Sequence, residues 1–207
     1  MKMATLGGFI GLTAIASVVS LYARWQPYFP GDLRLTLLFQ SINNTTLLRV
    51  MEWSSYLVQG PQVVALVAAS ALVAWRYLGR AEGIMVLAAA LTSLINIGLK
   101  LAVGRPRPTP DLVHVLDVYN HSSGFPSGHA FFAGVFFGFV AYMIATCVRR
   151  RRLRVLSLAG LLIYFLSIGA SRVYLGAHWT SDVLGGYLIG GLFLAPLIWI
   201  YRRWKPR

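Results

Sequence analysis

The chain has 207 residues, 57% of them hydrophobic and only 12% charged, with a formal net charge of +13. A mean hydropathy of +0.65 excludes an ordinary soluble globular domain and makes an integral membrane protein the leading class. The excess of positive charge invites a nucleic-acid reading, but the basic residues stand at the ends of apolar runs and not along one soluble face, so no nucleic-acid partner is expected.

A membrane helix needs about 20 predominantly apolar residues. Six stretches meet that requirement: 6–23, 55–75, 83–103, 130–148, 155–170 and 183–201. The expected fold is therefore all-α, a polytopic membrane bundle of about six transmembrane helices, with 1–207 as a single integral membrane domain. The first stretch is read as a retained span because its apolar run exceeds the h-region of a signal peptide. Residues 33–51 follow Trp25, Pro27, Pro30 and Gly31, and their mixed apolar pattern suits a helix lying at the membrane interface. Asn43 and Asn44 each begin an N-x-Thr sequon, which matters only in a host that glycosylates proteins. In the second span, Gln59, Gly60, Pro61 and Gln62 interrupt the outer end. The fifth is short and its limits are soft. Cys147, the only cysteine, leaves no disulfide framework or thiolate cluster and reads as a buried apolar-like residue.

With the N-terminus in the cytoplasm, Lys2, Arg76, Arg80, the four arginines 149–152, Arg154, Arg202, Arg203, Lys205 and Arg207 lie inside. Arg24, Arg34, Arg49, Lys100, Arg105, Arg107 and Arg172 remain outside, and the last four belong to the polar clusters described next. This bias is the positive-inside signature, and it orients both termini to the cytoplasm. Trp25, Trp53, Trp75, Tyr77, Trp179, Trp199, Tyr201 and Trp204 fall at span ends, where interfacial aromatics anchor a helix.

Three polar clusters then share the outer side: 100–108 after the third span, 124–129 before the fourth and 171–182 between the fifth and sixth. Ionisable residues gathered at one face of a chain that otherwise avoids them are a functional-site hypothesis. The first cluster brings Lys100, Arg105 and Arg107 to the mouth of a helix ended by two prolines, and its charge suits an anion. Snorkelling contacts with lipid headgroups are the alternative. The second, Phe125-Pro126-Ser127-Gly128-His129, opens a helix whose free N–H groups can cradle a phosphate. Ser127 can donate a hydroxyl or simply cap the helix, and His129 can serve as a general acid. In the third, His178 and Asp182 stand four apart; one helical turn would let the aspartate fix the imidazole tautomer, although a purely structural pair has the same spacing.

Together the clusters resemble the type-2 phosphatidic acid phosphatase superfamily, marked by K-x6-RP, PSGH and SR-x5-H-x3-D. Lys100, Arg107 and Pro108 match the first motif, 126–129 the second, and Ser171, Arg172, His178 and Asp182 the third. The six apolar stretches resemble its membrane lipid-phosphatase branch.

The resemblance implies that His178 attacks phosphorus to form a phosphohistidine, His129 protonates the leaving oxygen, and Asp182 orients His178. It further implies that Lys100, Arg107, Ser127, Gly128 and Arg172 bind the phosphate, with no metal or other cofactor. The implied partner is a membrane lipid in the bilayer, reached from the extracytoplasmic side. Undecaprenyl diphosphate is the first expectation for the substrate, with phosphatidate or phosphatidylglycerol phosphate as the alternative. A non-hydrolytic phosphate transporter is a remote third reading, because transport needs polar residues leading to the inner side. Asp111, His114, Asp117 and His121, in the outer loop between the first two motifs, read as solvated loop residues with tuning of substrate choice as the alternative, and Glu52 is left unassigned.

Overall fold

The structure, a computed structural model, describes residues 3–117 and 123–205; Lys2, His121 and Arg207 of the sequence reading lie outside them. All regular elements among the described residues are helical, as expected. Helix α1 (Met3–Trp25) is followed by two short helices, α2 (Asp32–Gln40) and α3 (Thr45–Tyr56). Next come α4 (Gly60–Tyr77), α5 (Arg80–Leu91) and α6 (Ser93–Val103). Helix α7 (Gly128–Phe132) runs through one π-helical turn (Ala133–Phe137) into α8 (Gly138–Cys147), and α9 (Arg151–Tyr174) and α10 (Thr180–Trp204) complete the chain.

Five helical stretches are long and apolar enough to cross a membrane: Leu6–Trp25, Arg80–Val103, Gly128–Cys147, Arg151–Tyr174 and Thr180–Trp204. Helices α3 and α4 meet the same requirement only as a pair, bent by 62° at the break between them, which makes up to six. The bend falls where the sequence interrupts the second span. Gly60 takes a left-handed φ of 54° and Pro61 occupies the first turn of α4, where its missing N–H costs nothing. The fifth span is longer than expected, because α9 incorporates the arginines at one end and the third polar cluster at the other.

The expected single interfacial helix over 33–51 is two helices. Asn44 separates them: its side chain accepts the Leu47 N–H at 2.9 Å and so caps α3, a role that the sequon pattern did not suggest. Two of the aromatics read as interfacial anchors are also misassigned. Trp179 is 1% exposed, against the Tyr28 ring at 5.2 Å, and Tyr201 is buried against Phe139. Cys147 is half-buried, not buried, because it ends α8 where the chain leaves the bundle.

The Gly128–Cys147 span is the central helix, with more than half of it buried against a third or less of each of the other four continuous spans. Helix α10 packs on it through glycines. A Cβ at Gly190 would lie 2.7 Å from the Phe131 carbonyl oxygen, so only glycine allows this approach of backbones. The large aliphatics of α1, including Ile10, Ile15, Val18 and Leu21, point outward as a lipid-facing surface. At the bundle end where α5 begins and α10 finishes, the buried Glu82 accepts from Tyr201 Oη (2.6 Å) and Lys205 Nζ (2.5 Å). The arginine-rich turn between α8 and α9 shares that end. The three motif clusters meet at the other.

Candidate active site

Helix α6 stops at Gly104, whose φ of 68° turns the chain back over the helix end. Lys100, in the last turn, donates to the Ser123 carbonyl at 2.6 Å. Beyond the turn the two arginines part. Arg107 Nη1 donates to the Ala177 carbonyl at 2.9 Å and lies 3.3 Å from His178 Nε2. Arg105 points the other way, into the protein, where its guanidinium meets Asp182 and Asp32. The mouth therefore holds Lys100 and Arg107, and the expectation of two arginines there is corrected.

Ser127 precedes α7 and donates its N–H to the Asp182 carbonyl at 3.0 Å, tying the second cluster to the third. Its hydroxyl is buried, caps nothing and has no partner among the described residues, so the capping alternative fails and a donor is left available. A Cβ at Gly128 would come within 3.3 Å of Asn96 Nδ2, so glycine lets the Asn96 amide of α6 pack closely on the start of α7, with the Lys100 side chain beside it at 3.7 Å. His129 Nε2 is buried, also without a partner among the described residues, and the Ser55 carbonyl stands beside the ring.

The third cluster begins in the last turn of α9. Arg172 is fully buried, and its Nη1 donates to Ser55 Oγ at 2.8 Å and to Asp117 Oδ2 at 2.9 Å. The chain then turns at Gly176, φ 66°, where a side chain would strike the His114 carbonyl. The N–H groups of Ala177 and His178 both donate to the Arg172 carbonyl, at 3.0 and 3.1 Å, which folds His178 back over the arginine.

Asp182 does reach His178, but not as a pair within one helix. His178 precedes α10, and the carboxylate reaches back from the first turn, with Oδ2 accepting the Trp179 N–H at 3.0 Å and lying 3.5 Å from His178 Nδ1. An acceptor beside Nδ1 favours a proton there and leaves the Nε2 lone pair on the side of Arg107. Burial, then the charges of Arg107, Lys100 and Arg172 and the neighbouring His129, hold the His178 pKa well below the usual imidazole range. His178 is thus a buried, oriented imidazole flanked by Lys100, Arg107 and Arg172, a setting in which a nucleophile could meet an anion.

Asp32 and Ser55 were not assigned to the site from the sequence, Arg105 was placed at the mouth and not behind Asp182, and Asp117 was left in the outer loop. One signal was present: the chain has only six acidic residues, so each is a candidate for a specific pairing. Asp117 touches Arg172, and Glu52 lines an open cavity of about 560 Å³ shared with Ser55, Gln59 and Asp117. Asp111 is exposed, and His114 uses its backbone, bonded to the Gln40 amide.

The close approach of α10 to this site gives a stability prediction. A Cβ at Gly186 would lie 2.7 Å from the Ser127 carbonyl and 2.8 Å from Ala130 Cβ. Gly186→Ala is expected to cost roughly 1–3 kcal/mol by overpacking. A thermal-unfolding midpoint equal to the wild type in detergent would show that the helices part freely here.

The profile of the PAP2 superfamily matches residues 81–206. Phosphatidylglycerophosphatase B of Bacillus subtilis (strain 168) is 34% identical over 111 residues, covering 52% of this chain and 51% of that protein. A lipid A 1-phosphatase of Rhizobium etli is 32% identical over 113 residues, covering 51% of this chain and 44% of the relative. The match thus spans about half the length of these curated relatives. The crystal structure of a transmembrane PAP2 type phosphatidylglycerolphosphate phosphatase from Bacillus subtilis superposes with a TM-score of 0.81 at 22% identity, covering 96% of this chain and 98% of that one. Aquifex aeolicus LpxE gives a TM-score of 0.64 at 21% identity, covering 82% and 96%. At that identity the likeness is one of fold. With the family match over more than half of its length, and all three motifs gathered at one end of a helical bundle, the chain belongs to the PAP2 superfamily as a multi-pass membrane member.

Proposed function

We propose that this protein hydrolyses phosphate esters or diphosphates of membrane lipids through a phosphohistidine on His178. The observation that carries the reading is the setting of His178, with Asp182 behind Nδ1 at 3.5 Å and Arg107 3.3 Å from Nε2. Nε2 attacks phosphorus while the bond from phosphorus to the leaving oxygen breaks, and His129 supplies that oxygen with a proton. Water then attacks the phosphorus, the P–N bond breaks and inorganic phosphate leaves, with His129 taking the proton from the water. Lys100, Arg107 and Arg172 bind the phosphoryl oxygens with the Ser127 hydroxyl and the Gly128 N–H, and they stabilise the charge of the pentacoordinate transition state. Turnover in EDTA is expected, since these side chains supply the positive charge.

The arginine-rich bundle end lies opposite the motif cluster, and that charge bias supports cytoplasmic termini with an extracytoplasmic site. The cradle grips a phosphoryl group and not its carrier, so the carrier is read from other features. A mouth on the outer side favours undecaprenyl diphosphate; the relatives, named for phosphatidylglycerophosphate and lipid A phosphate, support a lipid monophosphate equally. The deciding experiment is phosphate release by detergent-purified protein in EDTA from undecaprenyl diphosphate, phosphatidylglycerol phosphate and phosphatidate. The preferred substrate identifies the carrier, and no release from any of them overturns the reading.

The pH dependence has a definite sign. A nucleophile whose pKa is depressed stays unprotonated into acid. The acid limb of kcat/KM, which reports the free enzyme, is expected below the ordinary imidazole value of about 6.5 once the substrate's own ionisation is divided out. A limb at or above that value would contradict the buried, cation-flanked state of His178.

A further inference from the structure

A buried charge is tolerated only with a partner, and behind the His178–Asp182 pair the protein buries two more. Arg105 is 0% exposed and Asp32, at the start of α2, 3%. Arg105 Nη1 donates to Asp182 Oδ1 at 2.5 Å and to Ser181 Oγ at 2.8 Å, and its Nη2 lies 3.2 Å from Asp32 Oδ2. Its Nε donates to the Gln26 carbonyl at 3.1 Å, and the guanidinium stacks 4.4 Å from the Phe29 ring centroid. Asp32 in turn accepts the Ser181 N–H (2.8 Å), the Ser181 hydroxyl (2.5 Å) and the Phe29 N–H (2.7 Å). Neither residue is a fixed position of the three motifs, and Asp32 lies outside the residues matched by the family profile.

We propose that Asp32 and Arg105 form a buried clamp that sets the orientation and net charge of Asp182, and through it the reactivity of His178. The proposal rests on the phosphohistidine reading. Orientation follows from Arg105 holding Oδ1, which leaves Oδ2 to the Trp179 N–H and to His178. The carboxylate cannot rotate without losing a bond. Charge follows from the sum of the three groups. Arg105 alone would cancel Asp182; with Asp32 the trio keeps one net negative charge beside the imidazole. That charge matters when Nε2 bonds to phosphorus and the ring becomes cationic. His178 is otherwise faced by Lys100 of α6, Arg107 of the following loop, His129 of α7 and Arg172 of α9, none of which welcomes a second positive charge. Asp32 and Arg105 are positioning residues and touch no substrate. Through them the segment between α1 and α2 becomes part of the active site's support.

Asp32→Asn, which keeps shape and removes charge, is the test, on the full chain in detergent micelles. Removal of a supporting group of this kind is expected to lower kcat by about 10- to 100-fold while KM changes little. A readout independent of turnover accompanies it: titration of the His178 ring followed by 15N NMR, its signal identified by loss in His178→Ala. The His178 pKa is expected to fall below its wild-type value. A folded Asp32→Asn protein with an unmoved His178 titration overturns the clamp, even if kcat is lower. Arg105→Lys keeps the charge but loses the fork, and is expected to lower kcat with a smaller pKa movement; wild-type kcat in that folded variant overturns the clamp should Asp32→Asn not fold. A wild-type protein that releases no phosphate, yet whose His178 titration moves with Asp32→Asn, would overturn the proposed function and support the coupling.

Discussion

His178→Ala is expected to abolish phosphate release, with a fall in kcat of at least about 10⁴-fold, the order lost when a covalent nucleophile is deleted. The fold should survive. His178 is neutral in its buried setting, so its removal strands no new charge, and its N–H bond to the Arg172 carbonyl is a backbone bond that alanine retains. A cavity the size of an imidazole is left between Arg107 and Asp182, and the side chains proposed to bind phosphate remain. The variant should therefore still bind a lipid phosphate while failing to turn it over. Brief incubation of the wild type with substrate labelled in the phosphoryl group should leave label on the protein in an acid-labile, base-stable form, and His178→Ala should carry none. Undiminished release by the variant would remove His178 from the chemistry.

His129→Ala is expected to cost about 10²- to 10⁴-fold in kcat, the range for loss of a positioned general acid. The loss should depend on the leaving group. The alkoxide leaving a lipid monophosphate needs its departing oxygen protonated, whereas a nitrophenolate leaves without help. The ratio of wild-type to variant kcat should thus be large on a lipid monophosphate such as phosphatidate and should shrink sharply on p-nitrophenyl phosphate. His129 opens the central helix, and its Nε2 is buried without a partner among the described residues, as expected of a group that meets its hydrogen-bonding partner in the substrate complex. An equal loss on both substrates would assign His129 to binding or to the second, hydrolytic step.

Much of the bundle was legible because a bilayer imposes one requirement on any helical span, an apolar run of sufficient length, and the six stretches announced themselves that way. The second span was legible down to its fault, since Gln59 to Gln62 mark the 62° bend. The region 33–51 was not, because a mixed apolar pattern sets no register for where one helix stops. Asn44 decides that by capping α3. Trp179 misled for a similar reason: an aromatic at a span end has the same sequence whether it faces headgroups or, as here, packs beneath Tyr28 beside the candidate nucleophile.

The site divides along the same line. The spacing of Lys100, Arg107, Ser127, Gly128, His129, Arg172, His178 and Asp182 could be read directly, because local order along the chain carries the motif, and the helix ends bring its three parts to one end of the bundle. The roles of Arg105 and Asp32 could not. Two arginines flanking one proline look alike in sequence. Only packing turns Arg107 toward His178 and Arg105 toward two buried carboxylates, one of them contributed 73 residues earlier in the chain. Ser55 and Asp117 escaped for that reason too, since each meets Arg172 across the fold. Sequence alone determined that this is a helical membrane protein carrying the three motifs of the PAP2 superfamily, because hydrophobicity and local spacing are properties of the chain. Which charges neutralise one another was decided by tertiary structure, because burial makes pairing obligatory and distance in space, not along the chain, selects the partner.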